Sequence, residues 1–239
     1  MNKYIKNFFG FLNAILSSFI YLMKNRSFSQ LGEDLVIANH IEWAGYSLNE
    51  KGAFVDIGAY HPHDGSNTYL FYKHGSKGIV ADIGTSKKIL FKIFRRRDKF
   101  INAAVVPDSM VNNKFNFNTS GYGSKTDNLE MSNSAEVIGK SVKVIGITEL
   151  LETGKDYLFK NWSILSIDAE GMDQKIIESI DFNEFPFTVV CFENFFEDPL
   201  KKIQASINNN THSHMINNGY HLQSICGPSY IYIKNLAIK

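Results

Sequence analysis

The chain lacks several features that mark well-known classes of protein. It has only two cysteines, Cys191 and Cys226, which are too few for a disulfide framework and fit a reducing compartment. Its formal net charge of +1 gives no indication of nucleic acid or of another polyanionic partner. It shows no internal repeat and no low-complexity tract. A chain of 239 residues with these properties is expected to form one globular domain with a substantial core.

The dinucleotide-binding fingerprint G-x-G-x-x-G is also missing. Within residues 54–68, glycine occurs only at Gly58 and Gly65. This stretch nevertheless runs from an apolar strand through Asp56 and a glycine turn into a polar segment, which is the order found where a doubly wound sheet binds its ligand. Gly58 would let the backbone approach a ligand closely, and Asp56 would supply an acceptor for an amine or hydroxyl. An acidic residue so near the turn suits a cationic ligand better than a pyrophosphate, which favours S-adenosylmethionine over NAD.

Predicted strands and helices alternate through the chain, as in an α/β protein. Arg95, Arg96 and Arg97 end one of the predicted helices, where cations complement the helix dipole and are expected to face water. The irregular stretch 107–150 is predicted to be either a substrate lid or a surface insertion without a catalytic role. Strands are predicted at 53–56, 78–82, 99–106, 162–168 and 187–192, helices at 29–44, 68–73, 86–96 and 211–218, and an antiparallel pair at 221–225 and 230–234.

Four blocks of sequence, in this order and spacing, resemble the FkbM-type S-adenosylmethionine-dependent methyltransferases. They are SQLGEDLVI from residue 29, FVDIGAYHP…SNTYLFY from 54, GSKGIVADIG from 75 and LSIDAEGMDQKIIESIDF from 165. The resemblance covers roughly residues 28–235 and implies a class I methyltransferase domain over 27–239. Such a domain has a Rossmann-like, mostly parallel seven-stranded sheet, a terminal antiparallel hairpin and helices on both faces. The chain departs from the family after Asp82, where Ile83, Gly84 and Thr85 replace a polar Asn/Pro turn.

The predicted cofactor site lies at the ends of the first strands. Asp82 follows Asp56 by 26 residues, and a carboxylate at that position holds the ribose hydroxyls in Rossmann-like proteins. A helix N-cap is the alternative role for Asp82. The resemblance implies that Gln30 and Glu33 help to close over the cofactor, although acidic residues there would also balance a helix dipole. The complete predicted set is Gln30, Glu33, Asp56, Gly58, Ala59, Asn67, Asp82 and Asn102.

The predicted catalytic residues follow later strands. Asp168 and the pair Glu193 and Asn194 end adjacent strands and should project into one crevice. Their oxygens would suit Mg²⁺, with Asp168, Glu193 and Asn194 as ligands, or the two carboxylates would act directly as base or substrate ligands. Helix capping, bonds to backbone amides and pairing with a lysine are the structural alternatives. His61 is a third catalytic candidate, because an unperturbed histidine (pKa ~6.5) accepts a proton near neutral pH, although His61 precedes Pro62 and could simply shape the loop.

Residues 1–26 form a separate segment with apolar residues at spacings of three and four, the pattern of an amphipathic helix. The helix is expected either to pack on the domain or a second subunit, as in a homo-oligomer, or to lie in a membrane interface. Asn13, Ser17 and Ser18 interrupt the apolar run, which argues against a transmembrane span, and no A-x-A-like cleavage site indicates a signal peptide. We therefore expect a cytoplasmic protein, and if residues 1–26 lie in a membrane interface, their contact would be peripheral, on the inner face of the membrane.

The resemblance implies an O-methyltransferase that modifies a hydroxyl of a sugar, a polysaccharide or glycolipid precursor, or a secondary metabolite. One alternative is a nicotinamide-dependent sugar oxidoreductase. The missing G-x-G-x-x-G motif and the absence of a Tyr-x-x-x-Lys pair after the fourth strand argue against it. The other alternative is a degenerate, non-catalytic methyltransferase domain that mediates interactions. The presence of Asp56, Gly58, Asp82 and Asp168 argues against that.

Overall fold

The computed structural model describes residues 27–84, 87–113, 142–169, 171–194 and 209–235. The predicted amphipathic helix over 1–26 and most of the predicted lid, residues 114–141, lie outside these ranges. Among the described residues, no helix is both long and apolar enough to cross a membrane.

Nine strands and seven α-helices are found in the described part of the chain, together with a 3₁₀ turn at Asp108–Met110. The strands are β1 (Ala53–Ile57), β2 (Lys77–Asp82), β3 (Lys99–Asn102), β4 (Ala104–Val106), β5 (Val144–Gly146), β6 (Ser163–Ile167), β7 (Val189–Glu193), β8 (Tyr220–Cys226) and β9 (Ser229–Lys234). The helices are α1 (Glu33–Trp43), α2 (Tyr69–Lys73), α3 (Lys87–Phe94), α4 (Ile147–Glu152), α5 (Lys155–Leu158), α6 (Asp173–Ser179) and α7 (Asn210–Asn217).

Seven of the strands form one sheet in the order β3-β2-β1-β6-β7-β9-β8. The pairs from β3 through β7 are parallel, whereas β9 pairs antiparallel with both β7 and β8. The predicted α/β fold with a mostly parallel seven-stranded sheet and a closing antiparallel hairpin is confirmed. This architecture is compatible with a Rossmann-like fold.

The central strands are buried along their whole length because both faces of the sheet are covered. All five residues of β1 and of β6 are buried. One face packs against α1, α2 and α3 through residues such as Ile37, Phe71 and Phe91. The other face packs against α4 to α7 through residues such as Leu150 and Met215. Helices therefore cover both faces, as predicted.

The predicted third strand, 99–106, is wrong as a single element. β3 ends at Asn102, and β4 leaves the main sheet to pair in parallel with β5. The break lies at Ala103, whose N–H donates to the carbonyl of Ile101 at 3.2 Å, while Ala104 donates to Lys143 at 2.8 Å. The second half of the segment thus pairs with a strand about forty residues later in the chain instead of continuing β3. Asn102 consequently lies at the end of a strand rather than in its middle.

The first predicted helix starts later than expected. Gly32 has a left-handed φ of 89°, and α1 begins only after it, at Glu33 rather than at residue 29. The buried carboxylate of Asp34 instead holds the preceding segment, because it accepts hydrogen bonds from the Ser27 hydroxyl at 2.6 Å and the Phe28 N–H at 2.7 Å. This fixes where the described chain enters the domain.

Candidate functional site

The carboxyl ends of β1, β2, β6 and β7 meet at one edge of the sheet. In the strand register, Ile57 of β1 lies opposite Ala81 of β2 on one side and Ile167 of β6 on the other. Ile167 in turn lies opposite Phe192 of β7. The residues that follow these positions are therefore neighbours along the edge, and they include Gly58, Asp82, Asp168 and Glu193.

Gly58 begins the turn after β1 and has a positive φ of 78°. Its N–H donates to the carbonyl of Ala81 at 2.9 Å. A β-carbon at this position would lie 1.8 Å from the backbone carbonyl oxygen of Asp168. Glycine is therefore required here by the neighbouring turn of the same chain, independently of any ligand.

Asp82 ends β2 and is buried. One carboxylate oxygen accepts the Gly84 N–H at 2.6 Å. The other accepts the N–H of Tyr60 at 3.0 Å and the ammonium of Lys87 at 2.9 Å. A carboxylate has about four lone-pair positions, so this one retains capacity for a further donor such as a ribose hydroxyl. Lys87 was not predicted from the sequence, because a lysine five residues after an aspartate carries no recognisable signal.

Asn102 lies directly beside Asp82. The two residues are register partners on β3 and β2, and the side-chain amide of Asn102 donates to the backbone carbonyl of Asp82 at 2.8 Å. Ala59 is close as well, because its N–H lies 3.3 Å from the carbonyl oxygen of Ala81. The structure thus brings three predicted cofactor residues, Ala59, Asp82 and Asn102, to the same end of β1, β2 and β3.

Asp56 belongs to a buried polar network beneath this edge. Its carboxylate accepts the hydroxyl of Thr68 and lies 3.8 Å from the guanidinium of Arg95. Burial raises the pKa of Asp56, while Arg95 and Thr68 act in the opposite direction. The oxygen that bonds Thr68 is thus committed within the protein, and the prediction that Asp56 contacts a ligand stays a prediction.

Arg95 is the centre of that network, so the prediction that it faces water is wrong. It is 1% exposed, and its Nε donates to Asp98 at 2.6 Å. Its remaining nitrogens reach the Thr68 hydroxyl at 2.9 Å and the Ser66 hydroxyl at 3.3 Å. Two buried carboxylates offset its charge, which a run of three arginines in the sequence does not indicate. Arg95 therefore fixes the polar loop that follows the Gly58 turn.

Asn67 links this loop to the middle of the sheet. Its side-chain amide donates to the Ser166 hydroxyl at 3.1 Å and lies 3.9 Å from the sulfur of Cys191. Ser166 is the register partner of Asp56 on one side and of Cys191 on the other. Cys191 is buried, and burial raises the pKa of its thiol well above the ordinary value, so it is not a reactive thiolate.

Gln30 and Glu33 contact different parts of the domain. Glu33 is buried and accepts hydrogen bonds from the Leu31 N–H at 2.8 Å and the Ser229 hydroxyl at 3.1 Å. Ser229 is the register partner of Glu193, so Glu33 lies toward the predicted catalytic end of the sheet. Gln30 is exposed and neighbours Gly65 in the loop after β1. Their contribution to a cofactor lid stays a prediction.

Asp168 and Glu193 are held in place by their backbones. The N–H of Asp168 donates to Ile57 at 2.9 Å, and the N–H of Glu193 lies 3.4 Å from the Asp173 carboxylate. Asp173 also accepts the N–H groups of Ala169 and Gly171, at 3.3 and 3.2 Å. Burial raises the pKa of Asp173 to about 6 against these donors. Asp173 thus connects the turn after β6 to the end of β7.

Asn194 directly follows β7 and is buried. Its N–H donates to the carbonyl of Pro228 at 2.9 Å, which fixes it beside the closing hairpin. Within the described ranges, no group of three or more histidine, cysteine, aspartate or glutamate side chains could hold a metal ion. The predicted magnesium ligands are the carboxylates of Asp168 and Glu193 and the amide of Asn194. That finding does not cover an amide ligand. The magnesium site stays a prediction.

His61 lies on the loop after β1, whereas Asp168 and Glu193 lie at the ends of β6 and β7. Its Nδ1 accepts the N–H of Asp64 at 3.1 Å, which stabilises the loop, and the catalytic role of His61 stays a prediction. Burial, followed by the nearby His63, lowers the pKa of His61. The histidine borders an open cleft of about 640 Å³, which is lined by Ser27, Phe28, Ser29, His61, His63, Asp64, Tyr69 and Phe94.

The chain matches no model of a known protein family and no curated protein.

Proposed function

We propose that the chain is an S-adenosylmethionine-dependent O-methyltransferase of class I, of the FkbM type. The observation that carries the proposal is the arrangement of Asp82 beside the Gly58 turn at the carboxyl end of the sheet. A buried acceptor with a remaining lone pair lies where Rossmann-like sheets bind ribose. The order of the seven strands, with the antiparallel β9 inserted next to β7, further supports this assignment.

The charge at this edge also favours the cofactor. Asp82, Asp168 and Glu193 are acidic and follow one another around the ends of β2, β6 and β7. Lys87 is committed to Asp82 at 2.9 Å. When bound, S-adenosylmethionine supplies an electrophilic methyl group on a positively charged sulfur. An acidic edge suits that cation and would disfavour the pyrophosphate of a dinucleotide.

The residues around the predicted cofactor site have separate roles in this proposal. Asp82 binds the ribose, and Asn102 contributes to the adenosine pocket next to it. Arg95 and Asp56 hold the loop after Gly58 in place from below, while Asn67 ties it to β6. Gln30, just before α1, and Glu33, its first residue, close over the cofactor. These residues position the methyl donor, which matters because displacement at carbon requires an in-line approach.

Asp168 and Glu193 act on the acceptor in this proposal. One of the carboxylates accepts the proton of the attacking hydroxyl, and the other accepts a hydrogen bond from a neighbouring hydroxyl of the acceptor molecule, which directs the attacking oxygen toward the methyl carbon. Asp173 keeps the two strand ends in register through their backbone N–H groups. In the metal-dependent version, Asp168, Glu193 and Asn194 would hold Mg²⁺, which would orient the hydroxyl and lower its pKa. His61 is assigned to the loop and to the wall of the cleft.

The acceptor class follows from the family resemblance. We propose a hydroxyl of a sugar, of a polysaccharide or glycolipid precursor, or of a secondary metabolite. The two reduced cysteines, Cys191 and Cys226, are in keeping with work in the cytoplasm, at or near the inner face of the membrane.

Calorimetric titration of the full chain with S-adenosylmethionine and, separately, with NAD tests the proposal. We expect micromolar binding of S-adenosylmethionine and no measurable binding of NAD. Binding of NAD alone would favour a nicotinamide-dependent oxidoreductase. Binding of neither ligand would favour a non-catalytic domain.

A further inference from the structure

Helix α3 exposes apolar side chains that the domain leaves uncovered in the described structure. Ile89 is 66% exposed, Ile93 51% and Phe94 48%, although Phe91 of the same helix is buried in the core. Ile89 and Ile93 are four residues apart and therefore lie on the same side of the helix. A surface helix normally turns one apolar stripe to the core and a polar face to water, so this second row needs an explanation.

A row of cations runs beside the apolar row. Lys88, Lys92 and Arg96 are exposed and repeat every four residues, so they follow one side of α3 and its end. Residues 87–97 contain no aspartate or glutamate. Among the described residues, none of these three cations forms an ion pair, whereas Lys87 pairs with Asp82. This concentration of positive charge contrasts with a net charge of only +1 for the whole chain.

The position of α3 is also informative. Phe94 borders the same cleft as Ser27 and Phe28, where the described part of the chain begins. Residues 1–26, whose sequence predicts an amphipathic helix, therefore join the domain beside this end of α3. That segment carries Lys3, Lys6, Lys24 and Arg26 and no acidic residue.

We propose that the exposed face of α3, formed by Lys88, Ile89, Lys92, Ile93, Phe94 and Arg96, binds the surface of an anionic phospholipid membrane. The isoleucines would enter the boundary between headgroups and acyl chains, and the cations would contact lipid phosphates. Charge favours this occupant over the protein's own surfaces. A second copy docking through the same face would bring like charges together, and so would residues 1–26. The inference does not depend on the proposed methyltransferase activity.

Tryptophan fluorescence tests this surface directly in the full chain. The chain has two tryptophans, and Trp162 is buried, so Ile93→Trp combined with Trp43→Phe leaves one exposed reporter on α3. With vesicles of phosphatidylcholine and phosphatidylglycerol, we expect a blue shift and quenching by lipids with brominated acyl chains. Vesicles of phosphatidylcholine alone should give neither change. Because the reporter senses only its own surroundings, membrane binding through residues 1–26 cannot by itself produce the signal.

Two results would overturn the proposal. The first is an unchanged emission spectrum with anionic vesicles. The second is a spectrum already blue-shifted without lipid, which would mean that protein covers α3, either residues 1–26 or a second copy of the chain.

Charge reversal supplies the matched comparison. In the same reporter background, Lys88→Glu with Lys92→Glu should weaken partitioning to anionic vesicles about ten-fold or more. The exposed Lys160 and Lys175 provide the control, since Lys160→Glu with Lys175→Glu makes the same change of charge on other elements. Equal losses in the two pairs would indicate overall charge alone and would contradict a surface at α3.

Discussion

A β-carbon on Gly58 would lie 1.8 Å from the backbone carbonyl oxygen of Asp168. The turn after β1 and the turn after β6 are thus in direct backbone contact. The predicted cofactor turn and the predicted catalytic strand end therefore pack directly against each other. A substitution in one turn should disturb the structure of the other.

This contact predicts an unusually costly substitution. Gly58→Ala should lower the free energy of unfolding by about 3 kcal/mol or more, because it adds a collision to the strain of a positive φ. Gly45→Ala is the matched control, since Gly45 has a φ of 86° and nothing within 4 Å of the added carbon. It should cost only about 1–2 kcal/mol. Urea denaturation measures both values, and equal losses would show that the Asp168 contact is unimportant.

Arg95→Met should be strongly destabilising. It leaves the buried carboxylates of Asp56 and Asp98 without their cation, which typically costs about 3–5 kcal/mol. The neighbouring Arg96 is exposed, so Arg96→Met should change the free energy of unfolding by less than about 0.5 kcal/mol. Denaturant unfolding distinguishes the two variants. A loss below about 1 kcal/mol for Arg95→Met would mean that the network contributes little.

Charge removal at the predicted catalytic end tests the proposed chemistry. Asp168→Asn and Glu193→Gln keep the shapes of the side chains, so cofactor affinity should fall only slightly, through the lost attraction to the positively charged sulfur. Turnover should fall about 100-fold or more if the charges act mainly in the transition state. Steady-state kinetics and calorimetry measure the two effects separately. Full activity in both variants would place methyl transfer elsewhere.

Chelation separates the two versions of that chemistry. A magnesium site formed by Asp168, Glu193 and Asn194 should lose activity in EDTA and recover it when magnesium is added. A carboxylate acting directly as the base should be insensitive to EDTA, and its rate should fall as the pH drops through its pKa.

His40 predicts a pH dependence of stability. It is buried on α1, where Nε2 lies 3.1 Å from the Ser224 hydroxyl oxygen, and burial lowers its pKa. Below about pH 6.5 the unfolded chain therefore binds this proton more readily than the folded one, and stability decreases as the pH falls. His40→Gln should reduce the loss measured by thermal denaturation between pH 7 and about 5.5. His221→Gln removes an exposed histidine and serves as the control. An identical pH profile for His40→Gln and wild type would contradict the prediction.

Much of the sheet could be predicted because its signals are local. Apolar runs that end in an acidic residue locate β1, β2 and β6 to within one or two residues, since burial on both faces requires such runs. The break at Ala103 could not be predicted in this way. It depends on the bond from Ala104 to Lys143, and no periodicity within 99–106 reveals a partner so far along the chain.

The polar network beneath the site could not be predicted from the sequence either. Three successive arginines indicate a solvated helix end, yet Arg95 is buried because Asp56, Asp98 and Thr68 surround it in three dimensions. Asp173 had a weak signal, since an acidic residue in the first turn of a helix often accepts backbone N–H groups. That it also accepts the N–H of Glu193 from another strand could be seen only in the structure.

The affinity of Asp82→Ala for S-adenosylmethionine tests the central claim most directly. If Asp82 binds the ribose, calorimetry should show binding weakened by about 1.5–3 kcal/mol, or roughly 10- to 150-fold. Asp156→Ala, which removes an exposed carboxylate from α5, should bind as the wild type does. Unchanged affinity in a folded Asp82→Ala variant, or no binding by the wild-type chain, would contradict the account.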